Sequence, residues 1–193
     1  MSITNRAELS SSSQGNGAAG NLTVNANLIR LDQQGKISAE TIARQGNINL
    51  NLRDLLVMRR GSEITTKASG NNITGGNIKI DGKNSFVVAV KNENSNIRAD
   101  SVNFRGGNVT INVANIFGFQ SQTTSFPETS SITAKGASPD LGGNIQINTP
   151  ETDPSRGLVP LTVDVVDVAR LVDDNVCART ANSSFTYTPP SAP

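Results

Sequence analysis

The chain has 193 residues, a formal net charge of +1, 4% aromatic residues, one Cys, and neither His nor Trp. This length suffices for one sizeable core, and the single Cys177 cannot form a disulfide within the chain. A charge near zero without basic runs excludes the pattern of a nucleic-acid-binding protein, and no stretch approaches the ~20 apolar residues of a membrane-spanning helix.

The predicted elements begin with Ala7-Glu8-Leu9-Ser10, which matches the last strand of a repeating unit whose first part is missing. From residue 20 onward, a Gly-Asn pair followed by alternating aliphatic residues recurs five times, and the successive Asn residues are 26, 30, 31 and 36 positions apart. The five copies are residues 20–25, 46–51, 76–81, 107–112 and 143–148. An internal repeat of this period is typical of a solenoid.

Two further strand-like pieces follow the Gly-Asn strand in a fixed order. The first is an apolar run, and its copies are residues 28–31, 55–58, 86–90 and 116–119. The second is a short Ile-centred piece, and its copies are residues 36–39, 63–66, 96–99 and 131–134. One unit buries too few side chains to form a core, whereas stacked units pair each strand with its counterpart and align the apolar side chains in columns.

This pattern predicts an all-β fold, a right-handed parallel β-helix with three strands per coil of about 30 residues. We expect about five coils over residues 1–149, the first of them incomplete. The fourth unit carries an insertion, which is predicted to bulge outward as a loop over residues 120–130. Variable loops on a rigid scaffold concentrate recognition, so Gln120, Gln122 and Phe126 are the candidate contact residues.

The repeat stops after Ile147, and three terminal segments are predicted. Residues 150–160 contain prolines and read as a loop. Apolar residues at helical spacing predict a short helix over about 164–175, within a segment at 161–182 that caps the last coil. Residues 183–193 are rich in Ser, Thr and Pro and are predicted to be an extended tail.

Two columns of polar side chains are expected to follow the corners of the coils. The first contains Asn21, Asn47, Asn77, Asn108 and Asn144, and the second contains Asn25, Asn51, Asp81, Asn112 and Asn148. Stacked Asn side chains can hydrogen-bond to their neighbours above and below, so we interpret both columns as structural ladders. Polar ligand binding along a groove is the alternative.

Residues suited to catalysis or metal binding do not recur in columns. The acidic residues considered are Asp54, Glu63, Asp81, Glu93, Asp100 and Glu128, which are scattered over different positions of the unit. Without His, a Ser or Cys nucleophile lacks its usual base, and an Asn column lacks the charge to hold a row of divalent ions. Arg53, Arg59 and Arg60 form a small basic spot near Arg30, which we interpret as solvated surface. We expect no enzymatic activity, no metal and no cofactor.

Three features carry a resemblance to a known family. They are the repeats, the pieces such as Ser131-Ile132-Thr133-Ala134, and the closing segment Val165-Val166-Asp167-Val168-Ala169 with Cys177 and Phe185 after it. Over residues 5–190 the sequence resembles the C-terminal part of cyanobacterial filamentous-haemagglutinin-like proteins, which are exported by two-partner secretion. The family's glycine-rich, proline-ending terminus is replaced here by Phe185-Thr186-Tyr187-Thr188-Pro189-Pro190.

The resemblance implies a secreted or surface-exposed stalk with an adhesive or envelope-associated role and no catalytic residues. Its implied partners are surface glycans, host or envelope proteins, and an outer-membrane transporter that recognises an N-terminal domain missing from this sequence. Met1 is followed by polar residues, so we expect no signal peptide here. The open first coil predicts self-association. A carbohydrate-binding or carbohydrate-active β-helix, lyase-like or hydrolase-like, and a non-functional fragment of a longer exoprotein remain alternatives.

Overall fold

The secondary structure is almost entirely parallel strand. The computed structural model describes residues 1–15, 17, 19–121 and 128–150, with only the backbone of Ser121. In these ranges there are twelve strands: β1 Ser2–Thr4, β2 Glu8–Ser10, β3 Leu22–Asp32, β4 Lys36–Ser38, β5 Ile48–Met58, β6 Glu63–Thr65, β7 Ile78–Ala89, β8 Asn96–Arg98, β9 Asn108–Phe117, β10 Gln120–Ser121, β11 Ser131–Thr133 and β12 Asn144–Asn148. Two single-turn 3-10 helices span Lys91–Glu93 and Pro139–Leu141.

The strands form two parallel six-stranded sheets. One has the order β1-β3-β5-β7-β9-β12, and the other has the order β10-β11-β8-β6-β4-β2. Each long strand therefore pairs with the long strand of the next coil, and each short strand pairs with the next short strand. This arrangement is a β-solenoid of about four turns. The sequence predicted about five coils with the first of them incomplete, and the turns counted here are those of the described residues alone.

The two strands predicted at the start of each unit are one long bent strand. β5 runs through residues 51–54, which separate the two predicted strand pieces, and its pairing with β7 shifts register between Asn51 and Leu55. β3 and β7 contain similar irregularities. A bulge accommodates the extra residues while the ladder to the next coil continues, so the strand bends without ending. The short strands form the other sheet, and after them single bridges link Ser13, Thr41, Ala68 and Ser101 from coil to coil.

Aliphatic side chains from successive coils stack in columns inside the solenoid. Leu22, Ile48, Ile78, Val109 and Ile145 occupy one register position, and Val24, Leu50, Ile80, Ile111 and Ile147 occupy another. The short strands add the column Leu9, Ile37, Ile64, Ile97 and Ile132. The inner members are fully buried, and all belong to one core cluster or pack against it. No single coil closes this core, which explains the stacking.

A column of glycines turns the chain before each Gly-Asn strand. A Cβ on Gly76 would lie 1.7 Å from the carbonyl oxygen of Gly46, and one on Gly107 would lie 1.9 Å from that of Gly76. The backbones of consecutive coils therefore approach too closely for any side chain. The predicted capping segment at 161–182 with its helix and the tail at 183–193 lie outside the described residues, as does the loop at 150–160 apart from Pro150.

Candidate functional site

The outward face of the first half of the long strands is a flat polar surface, which we call the polar wall. Strand alternation sends every second residue outward, so three columns run side by side along the solenoid axis. The outer two are the Asn columns predicted from the sequence. The middle column contains Thr23, Asn49, Lys79, Thr110 and Gln146. Neighbouring strands are about 4.8 Å apart, so the wall presents polar groups at a regular spacing.

Amide hydrogen bonds link the first Asn column. The Asn47 amide donates to Asn21 Oδ1 at 2.8 Å, and the Asn77 amide donates to Asn47 Oδ1 at 3.0 Å. The Asn108 amide donates in turn to Asn77 Oδ1 at 2.8 Å. Every bond runs from the later coil to the earlier one, which leaves the side chains in one common orientation. Asn144 continues the register beside Asn108.

The second column contains shorter contacts and one charge. Asn51 donates to Asn25 Oδ1 at 2.6 Å, Asn112 donates to Asp81 Oδ1 at 2.5 Å, and Asn148 donates to Asn112 Oδ1 at 2.6 Å. Lys79 pairs with Asp81 at 2.6 Å. Partial burial alone would raise the pKa of Asp81, but the hydrogen bonds from Asn112 and Lys79 outweigh it and hold the pKa below its ordinary value. Asp81 is therefore an ionised member of the ladder whose charge is balanced by Lys79.

Two shallow concavities lie on this surface. One of about 470 Å³ follows the first column and is lined by Asn21, Asn47, Asn49, Asn77, Ile78, Lys79, Asn108, Thr110 and Asn144. The other, of about 560 Å³, lies at the bulge and is lined by Asn51, Asp81, Gly82, Lys83 and Asn112. Asn side chains dominate the lining of the first concavity, so it can donate and accept hydrogen bonds to a neutral polar ligand, whereas the second also carries Asp81, Gly82 and Lys83 beside its two Asn residues.

The outward face of the second half of the long strands is apolar, and we call it the apolar wall. Leu28, Leu55 and Phe86 share one register column, and Val57, Val88 and Phe117 share the next. Leu28, Phe86 and Phe117 are 43%, 43% and 49% exposed. The rings of Phe86 and Phe117 stack with centroids 6.4 Å apart and planes inclined by 24°. This surface could not be predicted from the sequence, because a continuous apolar run does not reveal which of its residues face outward.

A charged cluster occupies the corner that follows the long strands. Asp32, whose side chain is 3% exposed, pairs with Arg30 at 2.7 Å and with Arg60 at 2.5 Å. Arg59 donates two hydrogen bonds to Glu93, at 2.6 and 2.8 Å. The predicted basic spot is therefore neutralised in part by carboxylates from the coils before and after it. Only the stacking brings Arg60 to Asp32 and Arg59 to Glu93, so no local sequence signal could have identified these two pairs.

The arginines keep both carboxylates ionised. The hydrogen bond from Arg59 is the main reason why the pKa of Glu93 falls to about 2. Burial would raise the pKa of Asp32, but the hydrogen bond from Arg30 and the charge of Arg60 outweigh it and lower the pKa. A general acid needs a pKa raised towards the working pH. Asp32 and Glu93 have the opposite shift, so this cluster is suited to fixing the corner and not to donating a proton.

The predicted contact residues are only partly described. Gln120 lies in the short strand β10 and not in a loop, because its backbone pairs with Ser131 of β11. The backbone N–H of Gln120 donates to the carbonyl of Ser130 at 3.0 Å. Gln122 and Phe126 lie outside the described residues. The expected loop over 120–130 therefore begins later than the insertion in the sequence suggested.

The described residues contain no group of three or more His, Cys, Asp or Glu that could hold a metal ion. No helix among the same residues is long and apolar enough to cross a membrane. The fold and surfaces define the class of the protein as a β-solenoid. No protein-family model, curated protein or solved structure matches the chain.

Proposed function

We propose that this chain is a non-catalytic, structural and adhesive segment of a secreted or cell-surface exoprotein, and that its outer walls bind neutral surface glycans. The observation that carries the proposal is the pairing of the two walls on the same long strands. A contiguous exposed apolar surface on a rigid scaffold is typical of an interaction site. Here it adjoins a surface of amides and hydroxyls held in place by their own ladders.

Glycans are the partners that this combination favours. A sugar ring presents hydroxyl groups around its edge, which match the donors and acceptors of the polar wall. Its C–H face carries weak positive charge, which the negative faces of aromatic rings such as Phe86 and Phe117 attract. Among the described residues, the three columns of the polar wall carry one Lys and one Asp, and these two pair with each other. That neutrality favours an uncharged glycan over an acidic one.

The charged groups support a non-catalytic role. Carboxylate pairs in glycosidases need one member that stays protonated and one that is ionised. The pKa values of Asp32, Asp81 and Glu93 are all lowered, and each of the three side chains is held by a Lys or Arg. These carboxylates serve the scaffold.

The finer architecture completes the proposal. We infer right-handed winding, because crossovers between parallel strands are right-handed in about 98% of cases. We also infer three-sided coils, about five in total, and a capping helix over about 164–175.

The resemblance to filamentous-haemagglutinin-like proteins supports export by two-partner secretion, an extracellular or outer-membrane location, and contact with an outer-membrane transporter through an N-terminal domain.

A glycan array with matrix and envelope proteins printed on the same slide tests the adhesive role. The full chain should bind neutral glycans, and the double variant F86S/F117S should lose that binding. Both side chains face outward and are nearly half exposed, so the variant should keep an unfolding midpoint close to that of the parent chain. Val102→Ser is the matched control, because it removes an apolar side chain that is 48% exposed outside the apolar wall.

A second variant separates the wall from the predicted contact loop. Deletion of residues 122–127 tests whether the predicted contact loop contributes. Loss of binding only on this deletion would move the site to the loop. Glycan binding that both variants retain in full would refute the proposed surfaces, and binding of proteins alone would replace glycans as the partner.

A further inference from the structure

The second Asn column is interrupted at one position in its middle. In this column the side-chain amides donate to the coil before, as Asn51 does to Asn25 Oδ1 at 2.6 Å. Asp81 occupies the next position and pairs in register with Asn51 on one side and Asn112 on the other. A carboxylate has no N–H, so Asp81 accepts from Asn112 but cannot donate to Asn51 Oδ1. We call the pair of Asn51 and Asp81 the ladder break.

The ladder break places acceptors beside acceptors. Oδ1 of Asn25 receives a hydrogen bond from the coil after it, whereas Oδ1 of Asn51 receives none from the described residues. An ionised carboxylate has about four lone-pair positions, and Asp81 uses one for Asn112 and one for Lys79. Adjacent strands are about 4.8 Å apart, so one small ligand can reach both residues of the break.

The break also lies in a recess. The pairing of β5 with β7 shifts register directly after Asn51, and the pairing of β7 with β9 shifts directly after Gly82. The concavity of about 560 Å³ at this bulge is lined by both residues of the break together with Gly82, Lys83 and Asn112. The free acceptors therefore belong to a shaped site and not to a flat part of the wall.

The charges around the break favour a neutral donor over a cation. Lys79 pairs with Asp81 at 2.6 Å, and Lys83 lines the recess with no carboxylate partner among the described residues. Two ammonium groups repel a metal ion, and a hard cation needs six or more oxygen ligands. A hydroxyl group meets no such repulsion, because it can donate to a ladder acceptor while its oxygen accepts from Lys83.

We propose that the ladder break binds a vicinal pair of hydroxyl groups, one donating to Asn51 Oδ1 and the other to the Asp81 carboxylate. The inference rests on the proposed glycan binding and names the part of the glycan that the polar wall holds. A neutral sugar ring and an open-chain polyol both supply such a diol. Asp81 keeps its scaffold bonds to Asn112 and Lys79. A hydrogen bond to an ionised acceptor is about twice as strong as one between neutral groups, so Asp81 determines the specificity.

Asp81→Asn tests the carboxylate, because the new amide can donate to Asn51 Oδ1 and complete the ladder. The Kd for methyl glucoside should rise about tenfold or more. The urea midpoint should stay the same or rise, because the exposed ion pair with Lys79 contributes little. A purely structural Asp81 would give the reverse, a lower midpoint with unchanged binding. Asp54→Asn removes the same charge from an exposed position outside the columns and should match the parent chain in both measurements.

A second pair of variants tests the amide acceptor. Asn51→Ala and Asn25→Ala both remove the 2.6 Å bond between these two side chains, but only Asn51→Ala removes the acceptor of the ladder break. Asn51→Ala should therefore lose methyl glucoside binding, and Asn25→Ala should retain it. Equal loss in both variants would show that ladder rigidity and not the acceptor matters, which overturns the proposal.

Nuclear magnetic resonance identifies the ligand chemistry. The side-chain amide signal of Asn51, assigned by its absence in Asn51→Ala, should shift saturably with methyl glucoside. The fully O-methylated derivative has no hydroxyl to donate and should cause no shift. Sorbitol separates the two sources of a diol, because a matching shift indicates any polyol and no shift indicates a sugar ring. A saturable shift with calcium chloride would identify a cation site instead and overturn the proposal.

Failure of the ladder break differs from failure of the proposed function. Glycan binding on the array that Asp81→Asn retains in full and F86S/F117S loses overturns the ladder break and leaves the adhesive role intact. An array without any glycan binding refutes the proposed function, and the sorbitol titration then decides the ladder break alone. In that case, an Asn51 signal that does not move overturns it.

Discussion

Replacement of Gly107 by Ala tests the close approach of the coils. The new Cβ would lie 1.9 Å from the Gly76 carbonyl oxygen, where carbon–oxygen contacts between strands are normally about 3.3 Å or longer. The coils must therefore separate locally by roughly 1.4 Å (3.3 minus 1.9). That displacement breaks the hydrogen bond from Gly107 N to Ala99 O, now 2.7 Å, and the bond from Asn144 N to Gly107 O, now 3.1 Å.

Two broken backbone hydrogen bonds set the expected magnitude. Each buried group left without a partner costs about 1–3 kcal/mol, so the free energy of unfolding should fall by about 2–6 kcal/mol. In a domain of this size each kcal/mol shifts Tm by about 2–4 °C, so the middle of the range corresponds to a fall of about 8–16 °C. Urea unfolding followed by far-UV circular dichroism measures the free energy, and calorimetry measures Tm.

Gly15→Ala is the control for this substitution. A Cβ at Gly15 meets no atom within 4 Å, so the change should leave the stability unaltered or raise it by a few tenths of a kcal/mol. If Gly107→Ala unfolds within the experimental error of Gly15→Ala, the coils are not packed as closely as the glycine column requires, and the physical account of the motif is wrong.

Three further predictions concern the core, the charged corner and the ladder. Ile97→Ala empties a fully buried position in the short-strand column and should lower the free energy of unfolding by about 2–5 kcal/mol, whereas Ile42→Ala, at a position 43% exposed, should change it by less than about 0.5 kcal/mol in urea unfolding. The pKa of Glu93 is lowered from 4.5 to about 2 in the fold, so its contribution to stability is present above about pH 4.5 and is lost as the pH falls towards 2. Glu93→Gln should therefore flatten the pH dependence of the unfolding midpoint in that interval, and an unchanged slope would show that Arg59 does not hold the carboxylate. Asn77→Ala removes side-chain bonds to both Asn47 and Asn108 and should lower the free energy of unfolding by about 1–2 kcal/mol, while the exposed Asn71→Ala should not; equal effects would deny the ladder a stabilising role.

The repeat contained enough information to predict the solenoid. Alternation after each Gly-Asn pair specifies which residues of the first strand face inward, so Ile48, Ile78 and Val109 could be assigned to one buried column from the sequence. The short Ile-centred piece likewise predicted the column that contains Ile64 and Ile97. Both predictions rest on local periodicity, and stacking follows because no single unit can bury these side chains.

Other features depend on which residues the stacking brings together. The apolar run at 86–90 has no alternation, so only the structure shows that Phe86 faces outward beside Phe117. The two strand pieces predicted at 46–51 and 55–58 are one strand with a bulge between them, because pairing with the next coil continues across it.

The sequence by itself determined the period, the inward columns and the glycine corners, since each follows from residue types at fixed short spacings. Tertiary structure decided the two outer walls and the pairing of Asp32 with Arg60 one coil later. The physical reason is distance along the chain. Residues about one coil of 26 to 36 positions apart lie about 4.8 Å apart across adjacent strands, and no local pattern encodes which of them meet.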